Sequence, residues 1–253
     1  MKKVGLIPCR LESTRLPNKP IELIEEIPMF AHVYYRSKYS KLDEVYICTD
    51  SAEIMKISKK LQINAILTKS EHQNGTERCA EAAQTLELDS NDIVVDIQGD
   101  EPLLNPNDIN NLINFFDPQK HDIVLGYLPT KIKNNINTVK IILNRESQVL
   151  YFSRQDIPLN FRKNYEMFKQ VGLVGFTSKS IQKFAKSEQT DLELTEGVEL
   201  LRAIEMDLKL YGVMLNYENR SVDTPEDLEF VRNKILDDEL FLKYKKNPTH
   251  FFT

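Results

Sequence analysis

Residues 94–102 read Val-Val-Asp-Ile-Gln-Gly-Asp-Glu-Pro, an apolar run that ends abruptly in polar and acidic side chains. In open α/β sheets, ligands bind beyond the carboxyl ends of the strands. A carboxylate at such an edge can hold Mg²⁺, a hard cation that prefers oxygen ligands and often bridges to substrate phosphates. The stretch therefore predicts a buried strand over 92–98 and a metal site at Asp100. Taken alone, it fits an ordinary turn equally well.

Strand and helix patterns alternate on both sides of this stretch. Strands are predicted at 3–9, 44–49 and 64–68. Helices are predicted at 28–37, from about 51 to 61, at 75–86, and from Pro106 onward. This alternation favours an α/β fold, with a mostly parallel open sheet that carries helices on both faces.

The pattern changes after residue 122, where an inserted antiparallel strand region is expected. Strands are predicted at 122–128, within 139–152, at 171–177 and at 209–215, and helices at 178–186, 194–207 and 225–236. We expect one domain over 1–253, with parts at 1–121, 122–215 and 216–253.

Composition excludes several classes of protein. Hydrophobic residues make up 41% and charged residues 28% of the 253 residues, and the net charge is −5. The chain as a whole is therefore not a binder of nucleic acid, and phosphate affinity has to come from local clusters. Cys9, Cys48 and Cys79 lack metal-ligand spacing and read as buried thiols. A signal peptide and a membrane-spanning run are not evident, so we expect a cytoplasmic protein without a membrane partner.

A second segment offers positive charge at a strand end. Residues 7–19 read Ile-Pro-Cys-Arg-Leu-Glu-Ser-Thr-Arg-Leu-Pro-Asn-Lys, with Arg10, Arg15 and Lys19 as cations. Without glycine this is neither a Walker loop nor a dinucleotide fingerprint. Arginine can grip phosphate oxygens with two donors, and lysine acts as a point charge. A solvated charged turn is the alternative reading.

Three more segments carry polar groups at predicted helix starts. They are Gln-Asn-Gly-Thr-Glu-Arg at 73–78, Ser-Val-Asp-Thr-Pro-Glu-Asp-Leu at 221–228, and the acidic stretch 192–205 with Glu193, Glu196 and Glu199. Helix capping explains the first two, and a solvated helix face explains the third. A phosphate contact, a metal ligand and a sugar-hydroxyl site are the functional readings.

Together, and in this order, these segments resemble the 3-deoxy-manno-octulosonate (Kdo) cytidylyltransferases. The resemblance runs from residue 1 to about 236. Gln-Gly-Asp-Glu-Pro at 98–102, Leu-Tyr-Phe-Ser-Arg at 150–154 and Val-Asp-Thr-Pro-Glu-Asp-Leu at 222–228 match the family's motifs. The basic loop resembles its triphosphate loop, and Asn-Gly-Thr-Glu-Arg is similar to its Ser-Gly-Thr-Asp-Arg element.

The resemblance implies that the anomeric hydroxyl of a sugar acid attacks the α-phosphorus of CTP, giving a CMP-sugar and pyrophosphate. Asp100 and Asp223 would hold Mg²⁺, and with Arg10 and Lys19 on the triphosphate they form the expected catalytic set. The remaining expected nucleotide contacts are Pro8, Cys9, Ser13, Arg15, Asn74, Gly75, Thr76, Arg78 and Gln98. Gln98 would lie between base and sugar, and Arg154 would meet the sugar carboxylate. The resemblance also implies a nucleotide-binding half (1–121), a sugar-binding and dimerisation half (122–215), a closing metal motif and C-terminal helix (216–253), and a homodimer built on strands around 122–160.

The chain departs from the family's pattern where the family reads the sugar. Gln170 and Val174 replace a histidine and a tyrosine, and Leu200 replaces a glutamine. With Gln98, Arg154, Glu193 and Glu196, these positions form the expected sugar site. Each buried polar group left unpaired costs about 1–3 kcal/mol, so we expect a relative of Kdo as substrate. Another nucleotide or a sugar phosphate, and a non-catalytic sugar-nucleotide-binding protein, are the alternatives.

Overall fold

The computed structural model describes residues 1–12, 16–217 and 220–246. Its strands are, in chain order, β1 (Lys3–Cys9), β2 (Leu23–Ile24), β3 (Ile27–Pro28), β4 (Glu44–Thr49), β5 (Ala65–Leu67), β6 (Ile93–Ile97), β7 (Ile123–Thr130), β8 (Lys140–Leu143), β9 (Val149–Ser153), β10 (Met167–Thr177) and β11 (Leu210–Met214). Its helices are α1 (Met29–Lys38), α2 (Ala52–Lys60), α3 (Gly75–Thr85), α4 (Pro106–Phe115), α5 (Ser178–Ala185), α6 (Asp191–Glu196), α7 (Leu200–Glu205), α8 (Pro225–Ile235) and α9 (Glu239–Lys246).

The main sheet has the order β11-β7-β10-β6-β1-β4-β5. All its neighbours pair in parallel except β10, which runs antiparallel to both β6 and β7. Strands β8 and β9 pair antiparallel beside β10. The predicted mostly parallel sheet with an inserted antiparallel region is therefore confirmed.

Strand β6 owes its central place to its composition. All five of its residues are buried, as expected for a parallel strand that is covered on both faces. Two apolar clusters lie against the sheet, one containing Val95 and Ile97 and the other containing Val94. Asp96 is the one acidic residue within this otherwise apolar strand and is 2% exposed.

The strand order brings the polar segments together at one edge. Parallel β1 and β6 are neighbours, so the segments after Cys9 and after Ile97 leave the sheet side by side. Gly99 permits this approach, because a Cβ there would lie 2.8 Å from Cys9 Sγ and 3.0 Å from the Pro8 carbonyl oxygen. The backbone N–H of Val222 donates to the Asp100 carbonyl at 2.9 Å and ties the start of α8 to the same edge.

The helix predicted over 194–207 was wrong as one element. Gly197 has φ +61°, ends α6 in the left-handed conformation, and separates it from α7. Glycine adopts this conformation without steric cost, which is why it commonly ends helices. Glu193 and Glu199 therefore do not share a helix face, contrary to the expectation.

Two elements lie outside the sequence-based expectations: the β2–β3 hairpin and helix α9. His32 Nε2 lies 2.9 Å from the Ile24 carbonyl oxygen, so it carries the hydrogen, and Nδ1 accepts from the Tyr244 hydroxyl at 2.7 Å. Burial lowers the pKa of His32 to about 4, which keeps the ring neutral in this role.

None of the described helices combines the length and apolar character needed to cross a bilayer.

Candidate active site

Two cavities adjoin at the carboxyl edge of the sheet. The smaller, of about 650 Å³, is lined by the segments after β1 and β6 and by the start of α3. The larger, of about 890 Å³, is lined by β10, by the turn between α6 and α7, and by the segment before α8. Asp223 lines both cavities. A group bound in one cavity can therefore meet a group bound in the other beside this carboxylate.

Lys19, Asp100 and Asp223 form the charged centre of the smaller cavity. Lys19 Nζ lies 2.6 Å from Asp100 Oδ2 and 3.1 Å from Asp223 Oδ1. Burial would lower the pKa of Lys19, but the two carboxylates outweigh it, and the pKa lies above its ordinary value. The sequence predicted this meeting of residues that lie up to 204 positions apart.

Helix α8 holds Asp223 in place. Thr224 caps the helix, since its hydroxyl accepts from the Asp227 N–H while the Asp227 carboxylate accepts from the Thr224 N–H. The same carboxylate accepts from the Asp223 N–H at 3.2 Å. Asp223 is thus positioned by a capping box, and its carboxylate remains turned toward Lys19.

Asp100 and Asp223 suit a divalent cation. Both carboxylates lie within ion-pair distance of one ammonium group, so they converge on a single positive centre. The described residues contain no group of three or more His, Cys, Asp or Glu able to enclose a metal ion. Mg²⁺ commonly binds through one or two carboxylates, with water and substrate phosphates as its other ligands. The donor set therefore fits Mg²⁺ only together with a phosphate ligand.

Six more of the expected nucleotide contacts line the smaller cavity: Pro8, Cys9, Arg10, Asn74, Gly75 and Gln98. Arg10 is exposed there, and Asn74 caps α3 by accepting from the Glu77 N–H. Burial raises the pKa of the Cys9 thiol, so it is not a thiolate nucleophile. Ser13 and Arg15 lie outside the described residues.

Arg78 stays a candidate nucleotide contact, whereas Thr76 does not. Arg78 also lines the smaller cavity, but its guanidinium is held by the Thr68 hydroxyl at 2.5 Å and by Asp50 Oδ2 at 2.9 Å. Thr76 is 2% exposed, and its hydroxyl faces Asp96 and Glu199 instead of the smaller cavity. The prediction that the Thr76 side chain contacts nucleotide is therefore wrong, because its hydroxyl is held between Asp96 and Glu199.

The larger cavity contains two of the predicted sugar residues, Arg154 and Gln170. Arg154 donates to the carbonyl oxygens of Ile136, Glu196 and Gly197, each at 2.7 Å. These three bonds use three of its five N–H donors, which leaves two for an anion. The Oε1 atom of Gln170 is buried and accepts no hydrogen bond from the described residues.

Five predicted sugar residues do not line the larger cavity: Gln98, which lines the smaller one, and four that are engaged elsewhere in the fold. Val174 and Leu200 are buried in an apolar cluster. Glu193 forms a buried ion pair with Arg202, with Oε2 and Nε 2.9 Å apart. Glu196 accepts from the Ser153 hydroxyl at 2.8 Å and from the Arg154 N–H at 2.9 Å. These carboxylates are occupied within the fold, so the sugar-binding prediction is corrected at all four positions.

Several further charged or titratable residues line the cavities, although the sequence analysis did not propose them as binding residues. They are His72 and Glu12 in the smaller cavity, and Glu101, Lys169, Arg220 and Lys234 in the larger. Glu199, which the sequence offered with Glu193 and Glu196 for sugar hydroxyls, also lines the larger cavity. Lys169 adjoins Gln170, and Glu101 adjoins Asp100, so proximity to a candidate was the available signal. Arg220 and Lys234 had no such signal, because neither adjoins a predicted sugar-binding residue in sequence.

Comparison with known proteins decides the family. The family model described as Cytidylyltransferase matches residues 4–210. The chain belongs to the cytidylyltransferases. It is 36% identical over 247 residues to the 3-deoxy-manno-octulosonate cytidylyltransferase of Thermodesulfovibrio yellowstonii, with 90% of this chain and 96% of the relative covered.

Two further relatives extend this picture of the cytidylyltransferase. The 8-amino-3,8-dideoxy-manno-octulosonate cytidylyltransferase of Shewanella pealeana is 33% identical, with coverage of 91% of this chain and 97% of the relative. The solved structure of a CMP:2-keto-3-deoxy-manno-octonic acid synthetase complexed with CTP superposes with a TM-score of 0.86. Its identity is 29%, over 93% of this chain and 99% of that one.

The corrected role of Glu193 in this cytidylyltransferase can be tested by Glu193→Gln. Removing one partner of a buried ion pair leaves the charge of Arg202 uncompensated, which should cost about 3 kcal/mol of stability or more. Chemical denaturation would measure this loss. Because Glu193 does not line the larger cavity, the KM for the sugar acid should stay within about twofold of the wild type. A normal stability combined with a strongly raised KM would return Glu193 to the sugar site.

Proposed function

We propose that the chain transfers the cytidylyl group of CTP to a Kdo-type 3-deoxy-2-keto sugar acid in a Mg²⁺-dependent reaction. One observation carries the proposal: Asp223 lines both cavities and, with Asp100 and Lys19, marks the point where their contents meet. CTP would occupy the smaller cavity and the sugar acid the larger one. The relatives named above support both assignments.

The reaction needs positioning and charge neutralisation more than a covalent intermediate. The anomeric hydroxyl of the sugar loses its proton to solvent and its oxygen forms a bond to the α-phosphorus, while the bond from that phosphorus to the β-phosphate oxygen breaks, so pyrophosphate leaves. Arg10 and Lys19 would bind the phosphate oxygens, and the two remaining donors of Arg154 would bind the sugar carboxylate. Mg²⁺, when bound by Asp100 and Asp223, supplies positive charge to the phosphates.

The case for altered sugar specificity now depends on Gln170 alone. Val174 and Leu200 are core residues, so their departure from the family pattern removes no donor from the larger cavity. Gln170 remains, with a buried amide oxygen that needs a donor. A hydroxyl or an amino group on the sugar acid would satisfy it, so both Kdo and an amino-substituted Kdo fit the cavity.

A pyrophosphate-release assay tests the proposed function. Each mixture would contain one nucleotide, CTP, UTP, GTP or ATP, and one acceptor, with and without Mg²⁺. The acceptors would be Kdo, 8-amino-8-deoxy-Kdo, a neutral sugar and a sugar phosphate. Release only with CTP, a Kdo-type acid and Mg²⁺ is expected. Preference for another nucleotide or for a sugar phosphate would favour the alternative transferase. Absence of release from every mixture would favour a non-catalytic binding protein.

Asp100→Asn and Asp223→Asn should each lower turnover roughly a hundredfold or more, because the loss of metal-borne charge costs several kcal/mol in the transition state. Both carboxylates are partly exposed, so folding should be preserved and the melting temperature is the check. Asp237→Asn, at an exposed position outside both cavities, is the control. Near-normal turnover in either site variant would remove that aspartate from the active site.

A homodimer built on the inserted strands is also proposed. Large apolar side chains are exposed there: Leu150 at 50%, Leu159 at 84% and Phe161 at 82%. Such clusters commonly mark interaction surfaces. Light scattering should give twice the chain mass, and Phe161→Asp should yield monomers. Leu236→Asp, at another exposed leucine outside this region, should leave the dimer intact, and a monomeric wild type would refute the interface.

Two further expectations stay predictions. The cytoplasmic location comes from the sequence alone, and a role in cell-surface polysaccharide synthesis comes from the family resemblance. Both are consistent with a transferase that uses CTP and a Kdo-type sugar acid.

A further inference from the structure

Asp96 is a buried carboxyl that hydrogen bonds connect to residues of both cavities. It is on β6 and is 2% exposed. Its Oδ1 atom accepts from Gln98 Nε2 at 3.4 Å, and its Oδ2 atom lies 3.3 Å from the Thr76 hydroxyl oxygen. Gln98 lines the smaller cavity. Asp96 thus contacts a nucleotide-side residue with one oxygen and Thr76 with the other.

Thr76 connects Asp96 to the larger cavity. Its hydroxyl oxygen lies 2.9 Å from Glu199 Oε1, and Glu199 lines that cavity. A threonine hydroxyl has one hydrogen and can donate to only one of its two carboxyl neighbours. If both carboxyls were ionised, one of the two contacts would be an oxygen–oxygen repulsion. One of them must therefore carry a proton and donate it to Thr76.

The geometry places that proton on Asp96. The shorter contact is the one to Glu199, as expected for a hydroxyl that donates to an ionised carboxylate. Arg202 also favours the charged form of Glu199. The resulting chain has one direction: the Asp96 carboxyl donates to Thr76, and Thr76 donates to Glu199.

The charged and titratable groups around this hydrogen-bond chain favour the same protonation states. Burial, followed by the charge of Glu199, raises the pKa of Asp96 to about 7, against the hydrogen bonds from Thr76 and from Cys79 on α3. Burial also raises the pKa of Glu199; Thr76 and Arg202 lower it, and Glu193 and Glu77 raise it. The strand neighbours of Asp96, Leu6 and Val174, carry no side-chain polar group.

We propose that Asp96 is a positioning residue whose proton completes an Asp96–Thr76–Glu199 hydrogen-bond chain and holds the Glu199 carboxylate in the wall of the sugar cavity. The proposal rests on the proposed function for the identity of the ligand in that cavity. When Asp96 loses its proton, Thr76 can serve only one of two repelling carboxylates, and Glu199 loses its fixed position. Affinity for the sugar acid then falls, whereas Gln98 keeps its acceptor on Oδ1.

The kinetics of Asp96→Asn test the hydrogen-bond chain. An asparagine amide matches protonated Asp96, with an oxygen for Gln98 and an N–H for Thr76. Between about pH 6 and pH 8.5, the KM of the wild type for the sugar acid should rise about tenfold, with little change in the KM for CTP. In Asp96→Asn the KM for the sugar acid should stay at its acid-side value. Thr76→Val should show the high value at every pH, and Thr76→Ser should restore the wild-type profile.

The same profile in Asp96→Asn as in the wild type would overturn the proposal, and so would a pH-independent KM in the wild type. A high KM at all pH values in Asp96→Asn would show that ionised Asp96 is the working form. Because these measurements need turnover, failure of pyrophosphate release with every acid would count against the proposed function and not against the proton chain.

Thermal unfolding tests the proton without any substrate. An aspartic acid with a raised pKa binds more protons in the folded than in the unfolded state, so its contribution to stability is lost as pH rises from about 4 to about 7. Asp96→Asn has no such group. Its melting temperature should therefore exceed that of the wild type by an amount that grows with pH, reaching about 4 °C or more at pH 8. A difference that does not change with pH would refute a protonated Asp96.

Discussion

Repulsion between two carboxylates governs the centre of this molecule. Asp100 and Asp223 approach the same point, and Lys19 lies within ion-pair distance of both. Such an arrangement is stable only with a cation between the acids, and it suits an enzyme that has to bring a divalent ion to phosphates. The backbone N–H of Val222 donates to the Asp100 carbonyl, so the acidic end of β6 and the start of α8 are also linked through the main chain.

Neighbouring strands explain why the two halves of the reaction can meet. The segments after β1 and β6 emerge side by side, whereas β10, the one antiparallel strand of the main sheet order, lies on the far side of β6 and lines the second cavity. Residues of β6 and of the segment that follows it are therefore in reach of both cavities. Gln98 contacts one side, and Asp96 reaches the other through Thr76.

Sequence reasoning succeeded where a motif follows a strong strand pattern. The carboxyl end of β6 and the capping box of α8 are local features, and both placed their aspartates correctly. It failed at Val174, which the family motif had assigned to the sugar site, because this side chain packs into an apolar cluster beyond the register shift of β10 between Gln170 and Val174. It also failed at Glu193, since a buried partner such as Arg202 is fixed by tertiary packing. Ser13 and Arg15 lie outside the described residues, so their predicted roles stay predictions.

A crystal structure with CTP and Mn²⁺ in place of Mg²⁺ tests the central claim most directly, because anomalous scattering locates the ion. The account predicts an ion coordinated by oxygens of Asp100 and Asp223 and by phosphate oxygens, with the Lys19 ammonium moved from between the carboxylates onto the triphosphate. An ion bound elsewhere, or a triphosphate that contacts neither Lys19 nor the segment after β1, would contradict it.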